Sequence, residues 1–277
     1  MSLPSTVFLE NPAHFDGVGL HRRDPAYIRE LMPLIDVLHR YWFRATATGL
    51  EHLPREGPAI VVGNHSGGIT MPDTAIALRA WMTAHGADAP MYGLVHPAFF
   101  KVPYLNVHTM KIGGIRAHPR QAMEALDAGA VVLVYPGGGD EVYRSYARRN
   151  EVDLMGRTGF IKLAMRYRCP IIPLVAAGGH ETLVVLHDGE GLARRLRLDR
   201  RGLPRLPVSL TLPWGITVGA MYNIPFPARI DLRVGPPIDL DDIDPADMRD
   251  RRVVRECYER IEGRMQEMLD EMVAARA

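Results

Sequence analysis

His65 stands just beyond a short apolar run, Ala59-Ile60-Val61-Val62, and is followed by Gly67 and Gly68. An α/β sheet presents its ligands at the carboxyl ends of its strands. Two glycines there let a substrate come close to the backbone, and an imidazole in that setting suits a general base. The next acid downstream is Asp73, and two roles are open to it. It can orient the imidazole, or it can sit at N3 of a helix whose N-cap is Thr70 and whose first turn holds Pro72. On a continuous helix positions 65 and 73 would be ~12 Å apart, at about 1.5 Å per residue. Pairing therefore requires the Gly67-Gly68 turn to fold back.

A second strand-like run, Val131-Val132-Leu133-Val134, leads into Tyr135-Pro136-Gly137-Gly138-Gly139-Asp140-Glu141, with Tyr143 and Arg144 close behind. Three successive glycines leave backbone N–H groups bare, fit to hold an oxyanion or a phosphate. Asp140, Glu141 and Arg144 add side chains that can contact substrate. Gly113-Gly114-Ile115-Arg116 is a third polar turn, where Arg116 can meet a phosphate or lie on the surface. His180-Glu181 follows another apolar run but lacks the spacing of a zinc-protease helix. No Gly-Lys-Ser/Thr follows the glycines, which excludes a P-loop, and Asn64 occupies the place a nucleophile elbow gives to glycine. Cys169 and Cys257 are far apart, outside any metal-ligand spacing, so neither a metal site nor a disulfide framework is expected.

Strands are predicted at 59–62, 91–95, 131–135 and 171–176, and helices at 72–83, 119–127 and 158–167. This alternation predicts an α/β fold, with a mixed, mostly parallel central sheet flanked by helices. Before it, apolar residues at helical spacing predict a helix over 24–43, broken or kinked at Pro33. That helix either covers the core or turns its aromatic face to a membrane. After it, Val254, Tyr258, Ile261, Met265, Met268 and Met272 form a stripe on a closing helix expected to dock on its own body. The organisation expected is a helical segment over 1–48, a catalytic domain over 49–237 and a C-terminal helix within 238–277.

The 277 residues carry 33 basic and 32 acidic side chains, for a net charge of +1. That balance argues against a nucleic-acid partner. Within the near-neutral total, 191–222 concentrates Arg194, Arg195, Arg197, Arg200, Arg201 and Arg205 among leucines, ahead of Leu210-Thr211-Leu212-Pro213-Trp214-Gly215. This reads as an insertion that is either a solvated arginine face or a peripheral membrane contact. No apolar run reaches the length of about 18 residues that suggests a transmembrane helix.

The His65 turn, Gly114-Ile115-Arg116, Tyr135-Pro136-Gly137-Gly138-Gly139 and Ile172-Pro173-Leu174-Val175, in that order, resemble the four blocks of the glycerolipid (lysophospholipid) acyltransferase superfamily. Arg157-Thr158-Gly159-Phe160-Ile161-Lys162-Leu163-Ala164 adds a likeness to the branch of diacylglycerol acyltransferases. The resemblance spans about two-thirds of the chain. It implies that fold and an O-acyl transfer in which His65 deprotonates a lipid hydroxyl. The donor would be acyl-CoA or an acyl carrier protein, with no further cofactor and no metal. It also implies Asp73 as the orienting acid, an oxyanion site at Gly137 to Gly139, and substrate contacts from Asp140, Glu141, Arg116 and Arg144. The family's first block usually places four residues between histidine and aspartate, whereas seven stand here. Glycine replaces the family's Glu-Gly-Thr-Arg core, which favours a lysophospholipid or a mono- or diacylglycerol over glycerol phosphate. The place of action implied is cytoplasmic, peripheral on the inner face of the cell membrane. An ester or thioester hydrolase and a lipid-binding protein without turnover are the competing readings.

Overall fold

Runs rich in valine and isoleucine become the centre of a seven-stranded sheet. The computed structural model describes residues 5–198, 200 and 205–276. Its first elements are α1 (Pro25–Val37), β1 (Thr46–Thr48), β2 (Ala59–Gly63), α2 (Pro72–His85), β3 (Met91–Val95) and α3 (Leu105–Lys111). Then come β4 (Gly114–Arg116), α4 (Pro119–Asp127), β5 (Val131–Val134), α5 (Gly138–Val142), α6 (Gly159–Tyr167) and β6 (Ile171–Ala177). The last are β7 (Val184–His187), α7 (Glu190–Arg195), β8 (Val208–Thr211), β9 (Gly215–Val218), β10 (Asp231–Val234) and α8 (Arg251–Ala274).

The large sheet has the order β1-β10-β6-β2-β5-β3-β4, and β10 against β6 is its antiparallel pair. Strands buried on both faces need apolar residues at every position rather than alternation, and β2 and β6 are buried throughout. Alternate side chains feed two cores. Val61, Leu133, Ile172 and Leu232 pack with α1, α2 and α3 on one face. Ile60, Val62, Val132 and Ile171 pack with α4, α6 and α8 on the other. The methionine-rich stripe of α8 is buried there, so this helix docks on its own body as its spacing predicts.

Asp24 caps α1 by accepting from the Tyr27 N–H (3.0 Å). Tyr27, Ile28, Leu31 and Ile35 are buried, so α1 covers the core. Pro33 lies inside α1 without ending it, and the helix instead widens into a π-turn over Leu38–Trp42. Two expected turns are regular structure: Gly114, Ile115 and Arg116 form the edge strand β4, and the glycine turn continues into α5. The segment expected as an insertion contributes α7 and two strands of a separate antiparallel sheet, β7-β8-β9.

β5, β2 and β6 are adjacent and parallel, so His65, Tyr135 and the turn after Ala177 emerge along one edge. Asn64 extends this register by one step. Its side chain accepts from the Ala176 N–H (2.7 Å) and donates to the Ala176 carbonyl (3.0 Å), acting as a peptide where β2 has ended. Replacing Asn64 with Ala leaves two buried backbone groups unpaired, each worth about 1–3 kcal/mol. Urea unfolding of Asn64→Ala is expected to show a loss of about 2–4 kcal/mol, and a loss below half that range refutes the role.

Candidate functional site

His65 follows the last residues of β2, and the chain then reverses through two left-handed glycines, Gly67 (φ +82°) and Gly68 (φ +65°). A Cβ at Gly67 would strike Pro72 and Thr182, and one at Gly68 would strike Leu183. The positive φ and the crowding both require glycine here. The reversal carries Asp73 back under the imidazole, and His65 Nδ1 lies 2.9 Å from Asp73 Oδ2. The fold-back that the pairing requires is present.

Asp73 is a buried carboxylate with a full set of donors. Its Oδ2 also accepts from the Ser66 N–H (2.7 Å) and hydroxyl (3.2 Å), and its Oδ1 accepts from the Thr74 N–H (2.7 Å) and hydroxyl (3.3 Å). The alternative with Thr70 as N-cap does not form. Met71 occupies that position in a left-handed conformation, while Thr70 donates its hydroxyl to the Gly67 carbonyl. A strained turn has displaced the side-chain cap, and Asp73 faces the histidine.

An ionised carboxylate only accepts, so Nδ1 of His65 carries the proton and Nε2 keeps a lone pair. Tyr135, leaving β5, stacks on the imidazole with ring centroids 4.2 Å apart and planes 12° from parallel. Burial pushes the Tyr135 phenol well above its usual range, and the Asp73 charge adds to this. The imidazole is thus held in plane by a neutral aromatic ring and in rotation by a carboxylate.

Behind this pair lies a buried cluster. Arg144 donates through Nη2 to His180 Nε2 (3.1 Å) and lies 3.9 Å from Glu141 Oε1. Arg144 Nε and Nη1, both Glu141 oxygens and His180 Nδ1 are buried without hydrogen-bond partners among the described residues. Burial raises the Glu141 carboxyl well above the carboxylate range, with the Arg144 charge opposing. Burial and the Arg144 charge pull His180 down to about 3. His180 is therefore neutral near pH 7, with its proton on Nδ1.

The other expected contacts are distributed differently. Gly138 spends its N–H on the Tyr135 carbonyl (3.1 Å), so the glycine turn is not a row of three bare donors. Gly137 makes room, because a Cβ there would strike Glu141 and the Asp153 carbonyl. Gly139 has open space around its Cα. Asp140 turns away from His65 to Arg157 (2.6 Å) and Arg205 (3.5 Å), which clasp the turn from outside. Arg116 stands on the same carboxyl edge but three strands from β2, ~14 Å at the usual strand spacing, and donates to the Asp16 carbonyl. The structure brings together His65, Asp73, Glu141 and Arg144, and leaves Asp140 and Arg116 outside that group. Tyr135 and His180 complete it. Both follow apolar runs in the sequence, which is the signal that marked His65.

Residues 44–177 match the family described as Acyltransferase, a segment that contains His65, Asp73, Glu141 and Arg144. They form an acyltransferase domain of the glycerolipid acyltransferase superfamily. An uncharacterized protein of Mycobacterium tuberculosis is 28% identical over 244 residues, covering 88% of this chain and 66% of that protein. Diacylglycerol O-acyltransferase 2 of Dictyostelium discoideum is 26% identical over 147 residues, 52% of this chain and 44% of that protein. Among solved structures, the 1-acyl-sn-glycerophosphate (LPA) acyltransferase PlsC from Thermotoga maritima matches with a TM-score of 0.53 at 16% identity. That match covers 90% of this chain and 81% of the other, and it establishes the fold. The chain spans about two thirds of the length of the mycobacterial relative. Around the acyltransferase domain, β10 completes the sheet and α8 covers it.

The neutral His180 has a consequence for stability. Its folded value of about 3 lies below the ordinary 6.5, so the unfolded chain takes up its proton first as the pH falls. The contribution is complete above pH 6.5 and is lost progressively between there and pH 3, at up to ~1.4 kcal/mol per pH unit. His180→Asn is expected to flatten the fall in Tm between pH 6.5 and 4 relative to wild type. Parallel melting profiles for the two proteins would disprove the assignment.

Proposed function

We propose that the protein transfers an acyl group from a thioester donor, acyl-CoA or an acyl carrier protein, to a hydroxyl of a glycerolipid at a membrane surface. The observation that carries this reading is the His65 Nδ1–Asp73 Oδ2 pair at 2.9 Å on the edge of three central strands. Nε2 takes the acceptor's hydroxyl proton as its oxygen attacks the thioester carbonyl. The tetrahedral intermediate then collapses, the C–S bond breaks, and the thiolate leaves with the proton that His65 held. Asp73 favours the imidazolium that forms between these steps. The Gly137 to Gly139 turn supplies backbone donors for the oxyanion, less the N–H that Gly138 has spent. Each such donor is typically worth about 10²- to 10³-fold in rate.

The acceptor class follows from the third block. No side chain projects from Gly137, Gly138 or Gly139 to hold a phosphate, and Arg144 is the buried cation nearby with N–H groups to spare. This favours a lysophospholipid or a mono- or diacylglycerol.

Purified protein in detergent micelles, given labelled acyl-CoA and a panel of lysolipids and glycerides, is expected to form esterified product. Acceptor should also raise the rate of CoA release. Release that ignores acceptor would instead indicate a hydrolase. His65→Ala should lose at least ~10²-fold in turnover while keeping its fold by circular dichroism. Retention of a tenth of the activity overturns the base. Asp73→Asn should fall by a comparable factor in kcat, with little change in KM, because the histidine tautomer is no longer fixed. Unchanged kinetics with a lowered Tm would reduce Asp73 to a structural acid.

A further inference from the structure

Two strands of the small sheet β7-β8-β9, β8 and β9, are built inside out. A strand with one buried face normally turns its apolar side chains inward and its polar ones to water. Here the buried positions are Ser209, Thr211 and Thr217, at 2%, 3% and 7% exposure. The outward positions are Leu186, Leu210, Ile216 and Val218, at 53%, 39%, 70% and 55%. The register shows that this holds across the β8-β9 pair, whereas on β7 the inward residue opposite Ser209 is the fully buried Val185. Leu210 pairs with Ile216 and Val208 with Val218, while Ser209 pairs with Thr217 between them. Val184 extends the first apolar row onto β7. The hydroxyls are satisfied within the sheet in part, since Thr217 donates to the Ser209 carbonyl (3.3 Å) and Thr211 to the Gly215 carbonyl (3.2 Å). A one-residue slip would exchange the two faces, so the register holds the apolar face outward.

We infer that this outward face of β7-β8-β9 is the element by which the protein lies on a lipid bilayer. The inference rests on the glycerolipid reading for its choice of a bilayer as occupant. Three further observations favour lipid. Trp214, at the hairpin between β8 and β9, is 60% exposed, yet its indole N–H is satisfied by the Tyr222 carbonyl (2.8 Å). The exposed ring therefore carries no unmet donor into an apolar phase. Arg194, Arg195 and Arg197 are exposed on and just after α7, the helix that joins β7 to β8, where they match anionic headgroups. The sheet also grows from the catalytic turn, because Leu183, immediately before β7, packs against Gly68. Lipid beneath the sheet lies beside the mouth of the site.

Two cations of the 191–222 segment are engaged within the protein: Arg205 is held between Asp140 and Asp188 (both 3.5 Å), and Arg194 pairs with Glu190 (3.3 Å). The apolar face therefore carries attachment that these two arginines cannot supply. β7 and β9 are edge strands whose outer N–H and C=O groups require water or headgroups. The sheet must therefore lie flat at the headgroup–acyl boundary, at the ~5–10 Å depth typical of interfacial elements.

The test compares wild type with Ile216→Asn/Val218→Asn, two exposed positions outside the catalytic machinery, after matching their Tm values. Partition onto phosphatidylcholine/phosphatidylglycerol vesicles is expected to fall at least about tenfold, as loss of two buried apolar side chains requires. Transfer in detergent micelles should be retained. Brominated lipids should quench emission in wild type and much less in Trp214→Phe. Vesicle binding unchanged by the double substitution overturns the inference. So does a dimer in vesicle-free buffer, seen by analytical ultracentrifugation, that the substitution dissolves, because the face would then belong to a second copy. Wild type that binds vesicles through this face but transfers nothing in micelles supports the lipid face and removes the proposed reaction instead.

Discussion

Everything at the edge of the large sheet is organised around one buried carboxylate. Asp73 accepts from His65, from Ser66 twice and from Thr74 twice, which fills both oxygens. A carboxylate stays charged in a protein interior when it is supplied with donors in this way. The supply dictates the local chain path. Ser66 must lie beside its acceptor, so the backbone has to reverse at Gly67 and Gly68. Met71 must then accept a left-handed conformation to start α2 without a side-chain cap. The strain of that turn is the local cost of bringing the acid under the imidazole.

The central strands were legible because full burial writes itself as unbroken valine and isoleucine. The strand at 91–95 and the helix at 119–127 fall where the pattern puts them. β1 and β4 escaped because three residues carry no periodicity. The small sheet escaped for a different reason. β8 and β9 do alternate, but with serine and threonine inside, so a reader who assigns the apolar face to the core finds no core for them. At the site, His65 and Asp73 were visible as residue types, but their pairing depended on the fold-back at Gly67 and Gly68, which eight-residue spacing does not disclose. Asp140 and Arg116 were plausible by position, and both have protein partners.

The Glu141–Arg144–His180 cluster draws its acid and its arginine from just after the glycines that stand where the resemblance would place a Glu-Gly-Thr-Arg core. An acid and an arginine are present, displaced along the chain by the glycines. Their geometry is incomplete, at 3.9 Å with unpaired atoms on both groups. Buried polar groups in that condition are costly, and their presence beside His65 is the kind of local conflict that function tends to leave in an otherwise consistent fold. The arginine also dictates the tautomer of His180, and burial together with the arginine's charge keeps that histidine neutral near pH 7. Two histidines on one edge thus receive different roles from their neighbours.

The stacking of Tyr135 on His65 has a consequence for which hydroxyl would be chosen in the proposed transfer. The carboxylate fixes the imidazole about its own axis and the phenol fixes its plane, so the lone pair on Nε2 points along a single line. An imidazole that cannot swivel would not search among the hydroxyls of a polyol. For a glycerol backbone with more than one free position, regiochemistry would be settled by how the lipid is seated, since only the oxygen brought onto that line can lose its proton.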